Sequence, residues 1–245
     1  MPQLYIDRGN TALKWQVLDG SMVLNEGTSC NELSISDALT DVSEHCLSGI
    51  YVSSVGSNDF ADDLLQWAKQ YQQPEPKFVE STAESCGVVN VYAKPNQLGV
   101  DRWLALIAAH HQYKGMLCIV DSGTAMTMDF ILGNGRHLGG FIVPGAALMR
   151  RSLLSSTQKI KVGDVTRTGQ LGECTSEAVV FGIEFMLQSF VQAKVLKMKE
   201  EYQQDITVVL TGGHANTLAD GLGSSAHVKN DLVLQGLQYM FSQSQ

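Results

Sequence analysis

The feature that most constrains this chain is a short pattern that occurs twice, once near the head of each half. Leu4-Tyr5-Ile6-Asp7-Arg8-Gly9-Asn10-Thr11 is echoed by Cys118-Ile119-Val120-Asp121-Ser122-Gly123-Thr124. Each copy is an apolar run, an aspartate, one variable residue, a glycine and then amide or hydroxyl side chains. Each continues into a second apolar run, 13–18 or 125–132, which stops at a tight turn, Asp19-Gly20 or Gly133-Asn134-Gly135. Apolar runs of this length between Gly and Asn punctuation read as strands joined in hairpins. Two such hairpins in 245 residues predict duplicated lobes, 1–115 and 116–245, with a terminal helix free to pack back on the first. Each half is long enough to bury a core of its own.

Strands and helices alternate through the rest of the chain. Residues 50–55 form a β-branched apolar run. Leu64, Leu65, Trp67 and Ala68 recur at helical spacing within 62–72, before Pro74 and Pro76, and a short strand is expected at 77–79. Helices are predicted at 101–111, 176–199 and 231–240, and further strands at 116–120, 137–143 and 206–210. The alternation predicts an α/β fold. The polar, serine-rich stretch 80–97 is expected as a loop serving an active site. Residues 194–201 read as a solvated, charge-rich helix end, and Met186, Met198 and Met240 as core packing.

Composition narrows the partners. Net charge is −8, which argues against nucleic acid, since that ligand needs a basic face. Phosphate remains compatible, because a few placed cations and backbone N–H groups bind it locally. Cys30, Cys46, Cys86, Cys118 and Cys174 are scattered, with no Cys-x-x-Cys pair; they read as reduced thiols of a cytoplasmic protein. The histidines have no metal-ligand spacing and read as surface or capping residues. No signal-peptide pattern opens the chain, and the apolar stretch 103–109 is too short for a bilayer. The expectation is a soluble protein with no membrane and no nucleic-acid partner.

The chemistry suited to the two hairpins is phosphate binding. Glycine lets backbone N–H groups approach phosphate oxygens. Asn10, Thr11 and Thr124 can donate hydrogen bonds, and Lys14 can bring an ammonium to the phosphate tail. The aspartates would repel phosphate and are suited instead to cations: Asp7 to magnesium through water, Asp121 to a metal ion. A third segment, Val208-Val209-Leu210-Thr211-Gly212-Gly213-His214-Ala215, is a strand, a Gly-Gly turn and a helix start, and such a turn can lie flat against adenine or ribose. Each segment alone is also ordinary turn chemistry. Together they make the phosphate–phosphate–adenosine pattern of the two-lobed actin-like ATPases, the superfamily of acetate and sugar kinases, heat-shock ATPases and actin, whose lobes are ribonuclease H-like. There is no Gly-x-x-x-x-Gly-Lys-Ser/Thr loop and no protein-kinase signature.

Gly99-Val100-Asp101-Arg102 opens a predicted helix. The helix N-terminus and Arg102 suit a carboxylate, and Asp101 could accept the proton of an attacking hydroxyl. The dipole and Arg102 also favour ionised Asp101, which weakens it as a base. An aspartate N-cap beside a solvent-facing arginine is the alternative reading, and residue types alone leave both open.

Six ordered segments resemble type III pantothenate kinase over nearly the whole chain. They are Asp7-Arg8-Gly9-Asn10-Thr11-Ala12-Leu13-Lys14-Trp15, Gly99-Val100-Asp101-Arg102-Trp103-Leu104-Ala105 and Val120-Asp121-Ser122-Gly123-Thr124-Ala125. The others are His137-Leu138-Gly139-Gly140-Phe141-Ile142-Val143-Pro144-Gly145, Gly172-Glu173-Cys174-Thr175-Ser176-Glu177-Ala178 and Leu210-Thr211-Gly212-Gly213. The resemblance implies ATP-dependent phosphorylation of pantothenate to 4'-phosphopantothenate, which opens coenzyme A synthesis. It also implies an actin-like fold, a homodimer, magnesium, and potassium or ammonium. By motif, Asp7, Arg8, Gly9, Asn10, Thr11, Ala12, Leu13 and Lys14 would bind ATP phosphates, with Thr124, Gly212 and Gly213 also on ATP. Asp101 would be the proton acceptor. Tyr92, Gly99, Val100, Asp101, Arg102 and Thr175 would bind pantothenate, and Asp121 would hold the monovalent cation. Arg8 occupies a position that the family pattern leaves variable. The competing readings are a kinase of this fold acting on another hydroxylated acid or sugar, an accessory protein of the same fold such as the Bvg accessory factor, and a non-transferring ATPase.

Overall fold

A computed structural model describes residues 1–56, 58–157, 163, 165, 171–222 and 226–242. The chain divides into two compact units, Met1–His111 with Asp231–Gln245, and Gln112–Asn230.

In the first unit β1 (Gln3–Arg8), β2 (Ala12–Asp19) and β3 (Met22–Cys30) form an antiparallel meander. The short helix α1 (Ile35–Ala38) follows, capped by Ser34, whose Oγ accepts from Asp37 N at 3.1 Å. Next come β4 (Gly49–Ser54), α2 (Asn58–Gln70) and β5 (Pro76–Phe78). The sheet order is β3-β2-β1-β4-β5, with β4 parallel to β1 and β5 parallel to β4. Parallel neighbours need a crossover, and α2 supplies the one from β4 to β5.

Side chains alternate across each strand, so the sheet has two apolar faces. Leu4, Ile6, Leu13, Val17, Ile50 and Val52 pack against Phe60, Leu64 and Trp67 of α2. Tyr5, Leu18 and Tyr51 face the other way. They meet Val100 and Leu104 of α3 (Val100–Gln112) and Val233, Leu234 and Leu237 of the terminal helix (Leu232–Ser242). Between β5 and α3 lie the two-residue strands β6 (Glu84–Ser85) and β7 (Val88–Val89) and a 3-10 turn, Pro95–Gln97. The serine-rich stretch is therefore ordered, with a hairpin turning through positive φ at Cys86 and Gly87.

The second unit repeats the plan. β8 (Met116–Ser122), β9 (Ala125–Ile131) and β10 (His137–Pro144) form the meander. They are followed by α4 (Ala146–Ser155), α5 (Thr175–Tyr202), β11 (Ile206–Thr211), α6 (Ala215–Leu222) and β12 (Ala226–Val228). The order β10-β9-β8-β11-β12, with β11 parallel to β8 and β12 parallel to β11, reproduces the first sheet strand for strand. The repeated sequence pattern thus sits on equivalent strands, β1 and β8, in two copies of one topology. Met116, Cys118, Val120, Met128 and Phe130 pack with Leu187 and Val191 of α5 and Leu218 of α6.

α5 is apolar on all sides but packs on one. Phe185 is 72% exposed, Leu196 59% and Met186 49%. Met186 is thus not a core residue, whereas Met198 and Met240 do pack against the apolar clusters of their units. By length and composition α5 is long and apolar enough to cross a membrane.

Candidate functional site

The first hairpin turns at Gly9, whose N–H donates to Ala12 O at 3.0 Å. Asp7 stands opposite Lys14, and Arg8 opposite Leu13. Directly paired residues share a face of the sheet, so a carboxylate and an ammonium lie on one side. Arg8 falls on the other side with the buried Leu13, and Leu13 can offer a ligand backbone alone. The Arg8 guanidinium lies 5.2 Å from the Phe60 ring centre, and burial pulls its pKa below the ordinary range. It lines a hollow of about 110 Å³ with Ser29, Asn31, Asp59 and Asp63. Among the described residues Arg8 Nε, Ser29 Oγ and Asn31 Oδ1 have no hydrogen-bond partner; a polar hollow of that size takes ordered water.

Asn10 and Thr11 are exposed at the hairpin tip. Both shoulders of the turn are tied to Asn31: its Nδ2 donates to Gly9 O at 2.9 Å and its backbone N to Thr11 O at 3.3 Å. Sequence reading missed Asn31, because its role depends on β3 folding back beside β2, which leaves no mark in the residue itself.

The second cluster opens α3. Val100 is buried in the apolar cluster and Trp103 is fully buried, which fixes the first turn of the helix. Asp101 Oδ1 accepts from Arg102 N at 2.7 Å. The carboxylate also fills the space beside Gly99, where a Cβ would lie 2.6 Å from that oxygen; any larger residue at 99 would push Asp101 away. Arg102 is 6% exposed, so it is not a solvated helix-start arginine. Its Nη1 donates to Tyr92 Oη at 3.2 Å, and its guanidinium carbon lies 5.8 Å from the Tyr92 ring centre. The same unit therefore brings Tyr92, Gly99, Asp101 and Arg102 together.

In the second unit the turn after β8 has Gly123 N donating to Ala125 O at 3.1 Å, the counterpart of the Gly9 bond. Opposite Asp121 stands Thr127, so this hairpin carries no cation at the position of Lys14. Two further turns close on it: Gly145 N donates to Thr124 O at 2.9 Å, and His214 N to Ser122 O at 3.0 Å. Gly212 has φ of +88°, and a Cβ there would run into Asp121 Oδ1 and the Ser122 backbone. Only glycine lets this chain pass so close to that carboxylate. A hollow of about 70 Å³ beside these turns is lined by Ser122, Glu184, Gln188, His214 and Thr217. Thr175, the first residue of α5, lines a separate open hollow of about 750 Å³ with Glu173, Cys174 and Met186.

Among the described residues no three His, Cys, Asp or Glu side chains gather as a metal-ligand group. The second hairpin suits a weakly held cation better than a caged one: one carboxylate beside turn carbonyls, all oxygen. His137 departs from the surface role expected of the histidines. It is fully buried, with Nε2 2.9 Å from Asp129 Oδ1.

Comparison with known proteins gives the family and the fold. The family model described as type III pantothenate kinase matches residues 3–197. The type III pantothenate kinase of Pseudomonas fluorescens (strain Pf0-1) is 35% identical over 241 residues, 96% of each chain. Among solved structures, a Baf family protein of Campylobacter jejuni aligns with a TM-score of 0.61 and 20% identity over 98% of both chains. The ROK hexokinase of Thermus thermophilus aligns with a TM-score of 0.52 and 14% identity over the whole of both. At such identities the structures speak to the fold, which is the two-lobed actin-like ATPase fold.

Proposed function

The chain belongs to the type III pantothenate kinase family, and from that premise we propose how its own residues carry the reaction. The protein phosphorylates pantothenate with ATP, the opening step of coenzyme A synthesis. The observation that carries the site assignment is the Asp101–Arg102–Tyr92 arrangement at the start of α3.

Arg102, buried and steadied by Tyr92, binds oxygen atoms of pantothenate together with the first N–H groups of α3. Gly99 and Val100 supply backbone, and Thr175 a hydroxyl. Asp101 faces the primary hydroxyl. The bond from Arg102 N fixes the plane of its carboxylate, so the hydroxyl is oriented before it reacts. The hydroxyl oxygen attacks the γ-phosphorus, the bond to the bridging oxygen breaks, ADP leaves with the electron pair, and the proton passes to Asp101. The transition state of such a transfer is loose, so orientation matters more than the strength of the base. This removes the difficulty that the helix dipole and Arg102 weaken Asp101 as a base.

The ATP phosphates meet the backbone of residues 8–13, Asn10, Thr11 and the Lys14 ammonium. Thr124 and the turn at Gly212 and Gly213 receive the rest of the nucleotide. Asp7, paired with Lys14 across the hairpin, suits magnesium through water. Asp121, packed against Gly212, suits potassium or ammonium, and these ions would offset phosphate charge. Phe185 and Leu196 lie about three turns apart on one face of α5, and both are exposed apolar side chains. A second copy of the chain is the occupant proposed, giving a homodimer. The place of the reaction in metabolism makes the protein cytoplasmic.

Comparing acceptors tests the assignment. Pantothenate should give the highest kcat/KM in a panel that includes sugars and other hydroxy acids. A sugar preferred over pantothenate would overturn it.

A further inference from the structure

Phe78 and Gly99 are joined by a stretch with only two-residue strands and one 3-10 turn. Segments of that length without regular structure need specific bonds to hold a shape. Here the bonds converge on Asn90. Its backbone N donates to Ala83 O at 2.9 Å, and its side-chain Nδ2 donates to both Thr82 O and Pro95 O, each at 3.2 Å. Its Oδ1 accepts from Tyr92 N at 3.0 Å. A primary amide offers two N–H donors and a carbonyl, and all are engaged in a side chain that is 9% exposed. Aspartate has the acceptor without the donors, and glutamine is one methylene too long for the same three partners.

The consequence reaches the substrate half of the site in two steps. Asn90 fixes the backbone of Tyr92, and Tyr92 presents its hydroxyl to Arg102 Nη1 at 3.2 Å. We propose that Asn90 is the positioning residue of this half-site: it sets where Tyr92 stands, and through Tyr92 it sets the orientation of Arg102 towards pantothenate. Asn90 does not touch the substrate. Its action is geometric, and displacements of about 1 Å at a binding group can change rates by about a hundredfold. The inference rests on the assignment of Tyr92 and Arg102 to pantothenate.

Steady-state kinetics with both substrates, alongside thermal unfolding, tests it on Asn90→Ala, Tyr92→Phe and the double variant. Tyr92→Phe should raise the KM for pantothenate. Asn90→Ala should raise that KM about tenfold, the size of one or two lost hydrogen bonds, with kcat and the KM for ATP held within about twofold. In the Tyr92→Phe background Asn90→Ala should add less than about twofold, because both changes break one path. Independent, multiplying effects would overturn the proposal, as would equal rises in both KM values, which a merely structural role produces. If Asn90→Ala does not fold, Asn90→Asp is the second variant: it loses both donors that anchor residue 90 to Thr82 O and Pro95 O, so the acceptor it keeps no longer holds Tyr92 N in place. It should show the same split between the two KM values, and its absence would count against Asn90. A Tyr92→Phe enzyme indistinguishable from wild type would overturn the assignment of Tyr92 and this inference with it. A raised KM in Tyr92→Phe beside an unaltered Asn90→Ala would overturn the inference alone.

Discussion

Asp101 is oriented by its immediate neighbours. Arg102 N holds one carboxylate oxygen, and the missing side chain at Gly99 leaves room for it. Asp101→Asn preserves the shape and the oxygen that accepts this bond but cannot take up a proton. The variant is expected to bind ATP and pantothenate as wild type does, by calorimetry, and to lose about 10²- to 10⁴-fold in kcat. Turnover near wild type would remove the role assigned to Asp101. At this scale the sequence nominated residues by type and order, Asp7, Gly9 and Lys14 for phosphate and cation, whereas residue types left Asp101 and Arg102 open and the family resemblance named them. It did not reveal residues whose role is a contact through space. Asn31 clasps Gly9 and Thr11 from the end of β3, and Asn90 ties three turns together. Arg8 reads as one more cation for phosphate, yet strand alternation carries it to the Phe60 side of the sheet.

Elements carry two further expectations. A ladder of rings joins β1, β4 and the terminal helix: Tyr5 and Tyr51 stack with centres 5.4 Å apart, and Tyr51 and Phe241 with centres 3.9 Å apart. Burial, and then the neighbouring Tyr51, push the Tyr5 phenol up to about 12. Its proton is held more tightly in the folded state than in the unfolded one, so its contribution is complete below the unfolded value near 10. It is lost as the pH rises through about 12. Urea unfolding between pH 9 and 12 should show stability falling over that window, and Tyr5→Phe should flatten the fall; equal slopes would contradict this. The second expectation concerns α5. Replacing Phe185 or Leu196 by aspartate should convert a dimer to a monomer by light scattering, and an unchanged mass would exclude this face as the interface. Long periodic elements such as α3 and α5 were legible to within two or three residues. α4 and β12 were not, since ten residues after a glycine, or three residues of strand, carry too little pattern to stand out; of α6 the start after Gly212-Gly213 was legible and its extent was not.

The whole molecule repeats one five-stranded topology, and the sequence announced the repeat through the β1–β2 and β8–β9 hairpins alone. The remaining strand-for-strand correspondence lies in pairing directions, which hydrophobic pattern does not encode. The fold follows from residues and geometry and the phosphate role proposed for the hairpins from residue chemistry, whereas pantothenate follows from family membership, with Asp101, Arg102 and Tyr92 as its proposed local site. The most direct measurement of the central claim is ADP release followed in a coupled assay, with and without pantothenate. ADP should form at a substantial rate only when pantothenate is present, with one phosphopantothenate made for each ADP. Hydrolysis of ATP undiminished by leaving pantothenate out would contradict the account.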